Sequence, residues 1–182
     1  MKIVALYGSS RESGNSEQLA DYALDGLQAT KIYLRHKKIL PVADGRHSPE
    51  GFHPVDDDYE SIITQVINHD VIFFITPLYW YGMSGLMKNF IDRWSQSLRN
   101  TNYDFKGSMK DKQAFVIVTG GDSINVKGLP LIQQFQLIFD FMSMKFGGYI
   151  LGVGNKPGEV MNDQHALHQA RLLNQQLQAV QS

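Results

Sequence analysis

A chain of 182 residues with 43% apolar and 19% charged residues has the length and balance of one globular domain spanning residues 1–182. Its 17 basic and 18 acidic residues leave a net charge of −1, which gives no electrostatic footprint for nucleic acid. There are no cysteines, which excludes disulfides, thiolate nucleophiles and cysteine-ligated zinc or iron–sulfur centres, and a cytoplasmic location is expected.

The first apolar run, Ile3 to Tyr7, stops at Gly8. It reads as a buried strand and is too short for a secretory signal, and no later stretch approaches the roughly 20 apolar residues of a membrane span. From Asn15 to Gln28, Leu19, Ala23 and Leu27 recur every four residues, which predicts a helix with one buried face. Lys31 to Arg35 reads as a second strand, with Ile32 and Leu34 inward. The stretch from His36 to Asp56 holds Pro41, Pro49, Pro54, Gly45 and Gly51 and reads as a long loop. Its His47 and His53, near Asp56 to Asp58, are better read as solvated loop residues than as metal ligands.

Asp57 or Asp58 is then expected to cap a helix ending near Asn68. Val71 to Thr76 is the strongest strand pattern and ends at Pro77. Ser84 is expected to cap the following helix, in which Leu86, Phe90, Ile91 and Trp94 share a face. Asn100 to Lys112 is polar and reads as a loop. Ala114 to Thr119 is another strand, closed by Gly120 and Gly121. A helix starting near Pro130 is expected to end at Gly147 and Gly148. Tyr149 to Val153 reads as a last short strand and Gln164 to Gln178 as a final amphipathic helix.

Strands alternating with helices imply an α/β fold, one parallel sheet covered on both faces. In such a sheet, ligands sit beyond the carboxyl ends of the strands at the switch point in strand order, which for the order 2-1-3-4-5 lies between strands 1 and 3. The loops after strands 1, 3 and 4 should carry the chemistry. The first, Gly8 to Ser16, has four serines and two glycines and runs straight into a helix. Free N–H groups at a helix start and serine hydroxyls suit one terminal phosphate, with Ser9, Ser10, Arg11, Gly14, Asn15 and Ser16 as candidates. It is neither a dinucleotide fingerprint nor a P-loop. In the second, Pro77, Leu78, Tyr79, Trp80, Tyr81 and Gly82 place three consecutive aromatics where neither helical nor strand periodicity could bury them all. They suit a platform for a flat ring, with backbone N–H groups from Pro77 to Trp80 facing it. In the third, Thr119, Gly120 and Gly121 expose N–H groups to ring carbonyls.

Gly8-Ser9-Ser10-Arg11 with Gly14-Asn15-Ser16, and Thr76 to Trp80 followed by Met83 to Lys88, resemble the NAD(P)H-dependent FMN reductase family of flavodoxin-like proteins. The resemblance runs from strand 1 to about Thr119. It implies tightly bound FMN, with phosphate on the first loop, isoalloxazine against the second and the ring edge near the third. It also implies NAD(P)H as donor, a small acceptor such as a quinone, a nitro or azo compound or a flavin, and homodimers or homotetramers. The iron–sulfur flavoprotein branch is similar too, but Val42, Gly45 and Ser48 stand where its cysteines would be, so the cluster is removed. Hydride transfer through a flavin needs no acid or base side chain, so no catalytic residue is nominated. The alternative is a flavodoxin-type electron carrier without activity of its own. A phospho-receiver domain is rejected, because Tyr7-Gly8 and Thr76-Pro77 stand where its acidic residues belong.

Overall fold

The computed structural model describes residues 1–181. In chain order the elements are β1 (Ile3–Tyr7), α1 (Asn15–Ala23), β2 (Ala29–Tyr33), α2 (Tyr59–Ile67), β3 (Val71–Pro77), α3 (Gly85–Asp92), α4 (Trp94–Ser97), α5 (Phe105–Met109), β4 (Gln113–Gly120), α6 (Ile124–Lys127), α7 (Leu129–Phe141), β5 (Lys145–Val153) and α8 (Gln164–Gln181). The five strands form one sheet in the order β2-β1-β3-β4-β5, and every pairing is parallel.

Strand side chains alternate between two cores. Val4, Leu6, Ile72, Phe74, Val116 and Val118 face α2, α3 and α7, whose Ile62, Phe90, Phe135 and Phe139 are fully buried. Ile3, Ala5, Tyr7, Phe73, Ile75 and Ile117 face α1 and α8 on the other side. Both faces are covered, which is why β1, β3 and β4 read as continuous apolar runs.

The sequence expectations differ from the structure at element ends. β2 begins at Ala29, and Leu34 to His36 form a 3₁₀ turn that still buries Leu34. α1 ends at Ala23, and Gly26 at φ +72° turns the chain. The polar stretch after Asn100 contains α5, held by buried Phe105 and Met109 and capped where Asp104 accepts from the Gly107 N–H at 2.9 Å. α8 runs three residues beyond Gln178.

The largest correction concerns Gly147 and Gly148, which lie inside β5 and do not stop α7. α7 ends at Phe141 with Ser143 in the left-handed region (φ 57°). The Ser143 N–H donates to the Asp140 carbonyl at 3.1 Å, and the Met144 N–H to Phe139 at 2.9 Å. This is a Schellman stop in which serine takes glycine's usual place. The register between β4 and β5 shifts by one residue at Ala114/Phe115, leaving Gly147 as the extra residue. A Cβ there would lie 2.5 Å from the Phe115 ring, which stacks on Phe73 at 5.0 Å.

Asp58 does not cap α2 through its side chain. Asp57 Oδ1 accepts from the Tyr59 N–H at 3.1 Å, while Oδ2 of Asp57 and Asp58 accept from the Leu40 and Lys38 N–H groups at 2.9 and 2.8 Å. The two aspartates close the base of the long loop.

Candidate functional site

The loops after β1, β3 and β4 meet at the carboxyl end of the sheet. Ser84 staples the first two. Its hydroxyl donates to the Gly8 carbonyl at 2.6 Å and accepts from Met87 N–H at 3.2 Å, capping α3 as the sequence predicts, and its own N–H donates to Thr76 Oγ1 at 3.0 Å. The Gly8 N–H donates to the Ile75 carbonyl at 2.7 Å. Both strands therefore release their chains at fixed positions.

In the first loop, Ser9 Oγ bonds both the Arg11 carbonyl and the Arg11 N–H at 3.1 Å, an internal turn that faces Gly14. α1 starts at Asn15 with no side-chain cap. The N–H groups of Asn15, Ser16 and Glu17 thus meet no intrahelical acceptor, since the first bond of the helix runs from Gln18 N–H to the Gly14 carbonyl at 3.0 Å. Ser16 is buried and its hydroxyl has no protein partner among the described residues. Glu17, an acid in the same turn, is turned away. Its carboxylate accepts from Arg35 Nη1 at 2.8 Å, and the Arg35 guanidinium lies 4.5 Å over the Tyr33 ring.

Asn15 departs from expectation. Its side-chain amide does not face the helix start as a free donor. Nδ2 donates to the Lys156 carbonyl at 2.9 Å, and Oδ1 accepts from the Val160 N–H at 3.3 Å. Asn15 contributes a backbone N–H to the site and uses its side chain to hold the loop after β5.

In the second loop, Leu78 N–H donates to the Thr119 carbonyl at 2.8 Å, and Tyr79 and Gly82 exchange two backbone hydrogen bonds of 3.0 and 2.9 Å. Pro77 has no N–H. Of the expected backbone donors from Pro77 to Trp80, only that of Trp80 is uncommitted among the described residues. Trp80 (φ 48°) and Tyr81 (φ 63°) form a two-residue hairpin turn that normally takes Asn-Gly. Two bulky residues in the left-handed region cost on the order of 1–3 kcal/mol each. Trp80 is 97% exposed. Replacing Trp80-Tyr81 by Asn-Gly is expected to raise stability by about 1–2 kcal/mol, read by thermal melting, while weakening ligand retention.

A cavity of about 250 Å³ is lined by Ser9, Arg11, Gly14, Asn15 and Ser16 from the first loop, Pro77, Leu78 and Tyr79 from the second, and Thr119, Gly120 and Gly121 from the third. A second of about 470 Å³ takes Trp80, Tyr81 and Asp122 and shares Leu78, Gly120 and Gly121 with it. Together they make one trough, with hydroxyl and N–H donors at one end and aromatics at the other. Of the sequence candidates, Ser10 is exposed and Gly82 closes the hairpin, and neither lines the trough.

Two wall residues escape the sequence reading: Gly154 and Asn155, on the loop after β5. The run Gly152-Val153-Gly154-Asn155-Lys156-Pro157-Gly158 carries a turn signal, but no ligand-binding type stands out in it. A larger cavity, about 1020 Å³ and lined by Met1, Gln28, Thr30, His69 and Gln181, lies at the opposite end of the sheet. Among the described residues, no three His, Cys, Asp or Glu side chains are grouped to hold a metal ion, and no helix is long and apolar enough to cross a membrane.

Residues 1–156 match the sequence profile of a family described as NADPH-dependent FMN reductase. The chain is 50% identical over 181 residues, 99% of its length and 100% of the other's, to YwqN of Bacillus subtilis, provisionally named an NAD(P)H-dependent FMN-containing oxidoreductase. It is 29% identical to the iron–sulfur flavoprotein MJ1083 of Methanocaldococcus jannaschii, over 99% of this chain and 97% of that one. The solved structure of the Trp repressor binding protein from Bacillus subtilis superposes with a TM-score of 0.81 at 48% identity, covering 94% of this chain and 99% of that one.

Proposed function

The chain belongs to the NADPH-dependent FMN reductase family and is an FMN-containing oxidoreductase; from that membership we propose that residues 1–182 act as one unit holding FMN in the trough and passing reducing equivalents from NAD(P)H to a small acceptor. Quinones, nitro and azo compounds and free flavin are the acceptor classes that an open trough of this kind admits. The residues fit the cofactor, and one observation carries the reading. The uncommitted N–H groups of Asn15 and Ser16 and the free Ser16 hydroxyl stand together at one end of the trough, a donor cluster at a helix start that suits an anion. Arg11 adds a positive charge at the same end.

FMN supplies the redox chemistry when bound, accepting and releasing hydride at its ring. The chain's part is to bind and orient. Ser9 shapes the phosphate turn, Ser84 fixes its distance from the second loop, and Leu78 and Tyr79 form one wall. Gly120 and Gly121 let the backbone of the third loop approach the other side. Arg35 neutralises Glu17, so that no unpaired acid stands in the helix turn that receives the phosphate. Val42, Gly45 and Ser48 offer no thiolate, so an iron–sulfur relay has no ligands.

A groove of about 410 Å³ beside Trp94, Leu137 and Phe141, the last two more than half exposed, is the surface against which a second copy would assemble into a homodimer or homotetramer in the cytoplasm. The purified protein is expected to be yellow with a flavin absorbance spectrum, and to oxidise NADPH or NADH when a quinone is present. A protein that stays colourless after incubation with excess FMN and desalting overturns the proposal. One that is yellow but turns over neither nucleotide is an electron carrier.

A further inference from the structure

The loop after β5 is held at several points along its length. The Gly154 N–H donates to the Gly120 carbonyl at 3.0 Å, tying this loop to the third. Glu159 accepts from both the Asn155 and Lys156 N–H groups at 2.9 Å, and these bonds hold its carboxyl below the usual range. Asn15 grips the Lys156 carbonyl and the Val160 N–H, and Asp163 accepts from the Val153 N–H at 2.8 Å. A Cβ on Gly154 would stand 2.7 Å from Asn15 Nδ2, so only glycine lets the two segments close.

One side chain of this scaffold stands over the trough without a partner among the described residues. Asn155 lines both cavities, so it stands where the donor-rich end meets the aromatic end. Its Cβ lies 3.0 Å from where a Cβ on Gly121 would stand, so it packs directly on the third loop. Its carboxamide has no hydrogen-bond partner among the described residues, although its backbone is fixed on both sides. An exposed asparagine on a mobile loop would mean little. Here the backbone is immobilised while the amide is left free over the trough, the arrangement expected of a preorganised ligand contact.

We infer that Asn155 is a binding residue for the ring portion of FMN, its carboxamide hydrogen-bonding a polar edge of the isoalloxazine, with Glu159 and Asn15 as the residues that position it. This rests on the FMN reading above. An N–H donor at that edge favours the reduced ring, which carries negative charge, and a carboxylate there disfavours it.

The test is a fluorescence titration of apoprotein with FMN, oxidised and then chemically reduced under anaerobic conditions. Asn155→Ala is expected to weaken oxidised FMN about fivefold, the value of one neutral hydrogen bond. Asn155→Asp is expected to weaken reduced FMN about tenfold more than oxidised, lowering the midpoint potential, a split that loss of packing would not give. Glu159→Gln is expected to give part of the Asn155→Ala effect, and Glu159→Asp less. Because the Asn155 side chain makes no internal hydrogen bond, its variants should melt with the parent protein. Asn155 variants that hold FMN within twofold of the parent in both redox states overturn the inference alone. A parent protein that fails to hold FMN overturns the reading beneath it.

Discussion

Replacing Ser16 by aspartate is expected to abolish retention of FMN, raising its dissociation constant by about a thousandfold or more. The loss has two parts. One charge-assisted hydrogen bond from the Ser16 hydroxyl disappears, about 1.5–3 kcal/mol. A carboxylate then stands near the site assigned to a phosphate. At about 4 Å and an effective dielectric constant of about 20, that repulsion is roughly 4 kcal/mol. Ser16→Ala suffers only the first part and should weaken FMN by about tenfold to a hundredfold. The apoprotein should still fold, because a carboxylate in the first turn of α1 is favoured by the same unfilled N–H groups and helix dipole that would otherwise face the phosphate. Equilibrium dialysis with FMN and with riboflavin checks the assignment. Riboflavin has no phosphate, so its affinity should differ little between the parent protein and the Ser16→Asp variant. An aspartate variant that purifies yellow would place the phosphate elsewhere.

Ser16 can be found from sequence because its signal is local. Serines, glycines and an abrupt helix start follow a buried strand, and the topology brings that segment to the switch point. The cap at Ser84 is legible for the same reason, and so are the central strands, since β1, β3 and β4 are buried on both faces and leave long apolar runs. What escapes depends on partners distant in sequence. Asn15 looks like a phosphate donor until the Lys156 carbonyl, 141 residues away, is seen to take its amide. Gly147 and Gly148 look like a helix stop, because nothing local reveals that the Phe115 ring needs the space a side chain would fill. Trp80 and Tyr81 fall in the expected loop, but their left-handed backbone lies outside what residue type suggests, since bulky side chains rarely adopt it. The departures at Asn15, Trp80 and Tyr81 lie at the trough, where local preference yields to the demands of a ligand, whereas that at Gly147 lies at the amino end of β5 and answers to packing.

The same limit applies to Arg93, which carries no signal in sequence and should give the largest stability effect in the chain. Arg93→Ala is expected to destabilise the fold by about 3–5 kcal/mol, lowering the melting temperature by about 10 °C. Arg93 lies at the junction of α3 and α4 with its side chain 1% exposed, and its Nη1 stands 2.6 Å from Asp57 Oδ2, whose side chain is fully buried. Nη1 also donates to the Leu40 carbonyl at 3.2 Å, Nε donates to Gln96 Oε1 at 2.9 Å, and the guanidinium stacks over the Tyr59 ring at 4.6 Å. Nη2 has no hydrogen-bond partner among the described residues, so the pair is not an optimised one, and its weight lies in what removal leaves behind. Without Arg93, Asp57 is a buried charge at the base of the long loop. Burial pushes the Asp57 carboxyl up, but the Leu40 N–H, Arg93 and the Tyr59 N–H together hold it below the usual range. A lowered folded value means the stabilisation is present above the ordinary carboxylate pKa of about 3.9 and is lost as pH falls through the folded value. Arg93→Ala should therefore move the acid-unfolding midpoint upward as well as weakening the protein at neutral pH. Adding Asp57→Asn to Arg93→Met should restore part of the loss, because the uncharged amide oxygen can still accept from Leu40 or Tyr59 while no charge remains unpaired. Urea unfolding across pH reads both effects. An Arg93→Ala protein that unfolds with the parent at pH 7 would mean that Asp57 finds water or another partner, and that the long loop is held by something other than this pair.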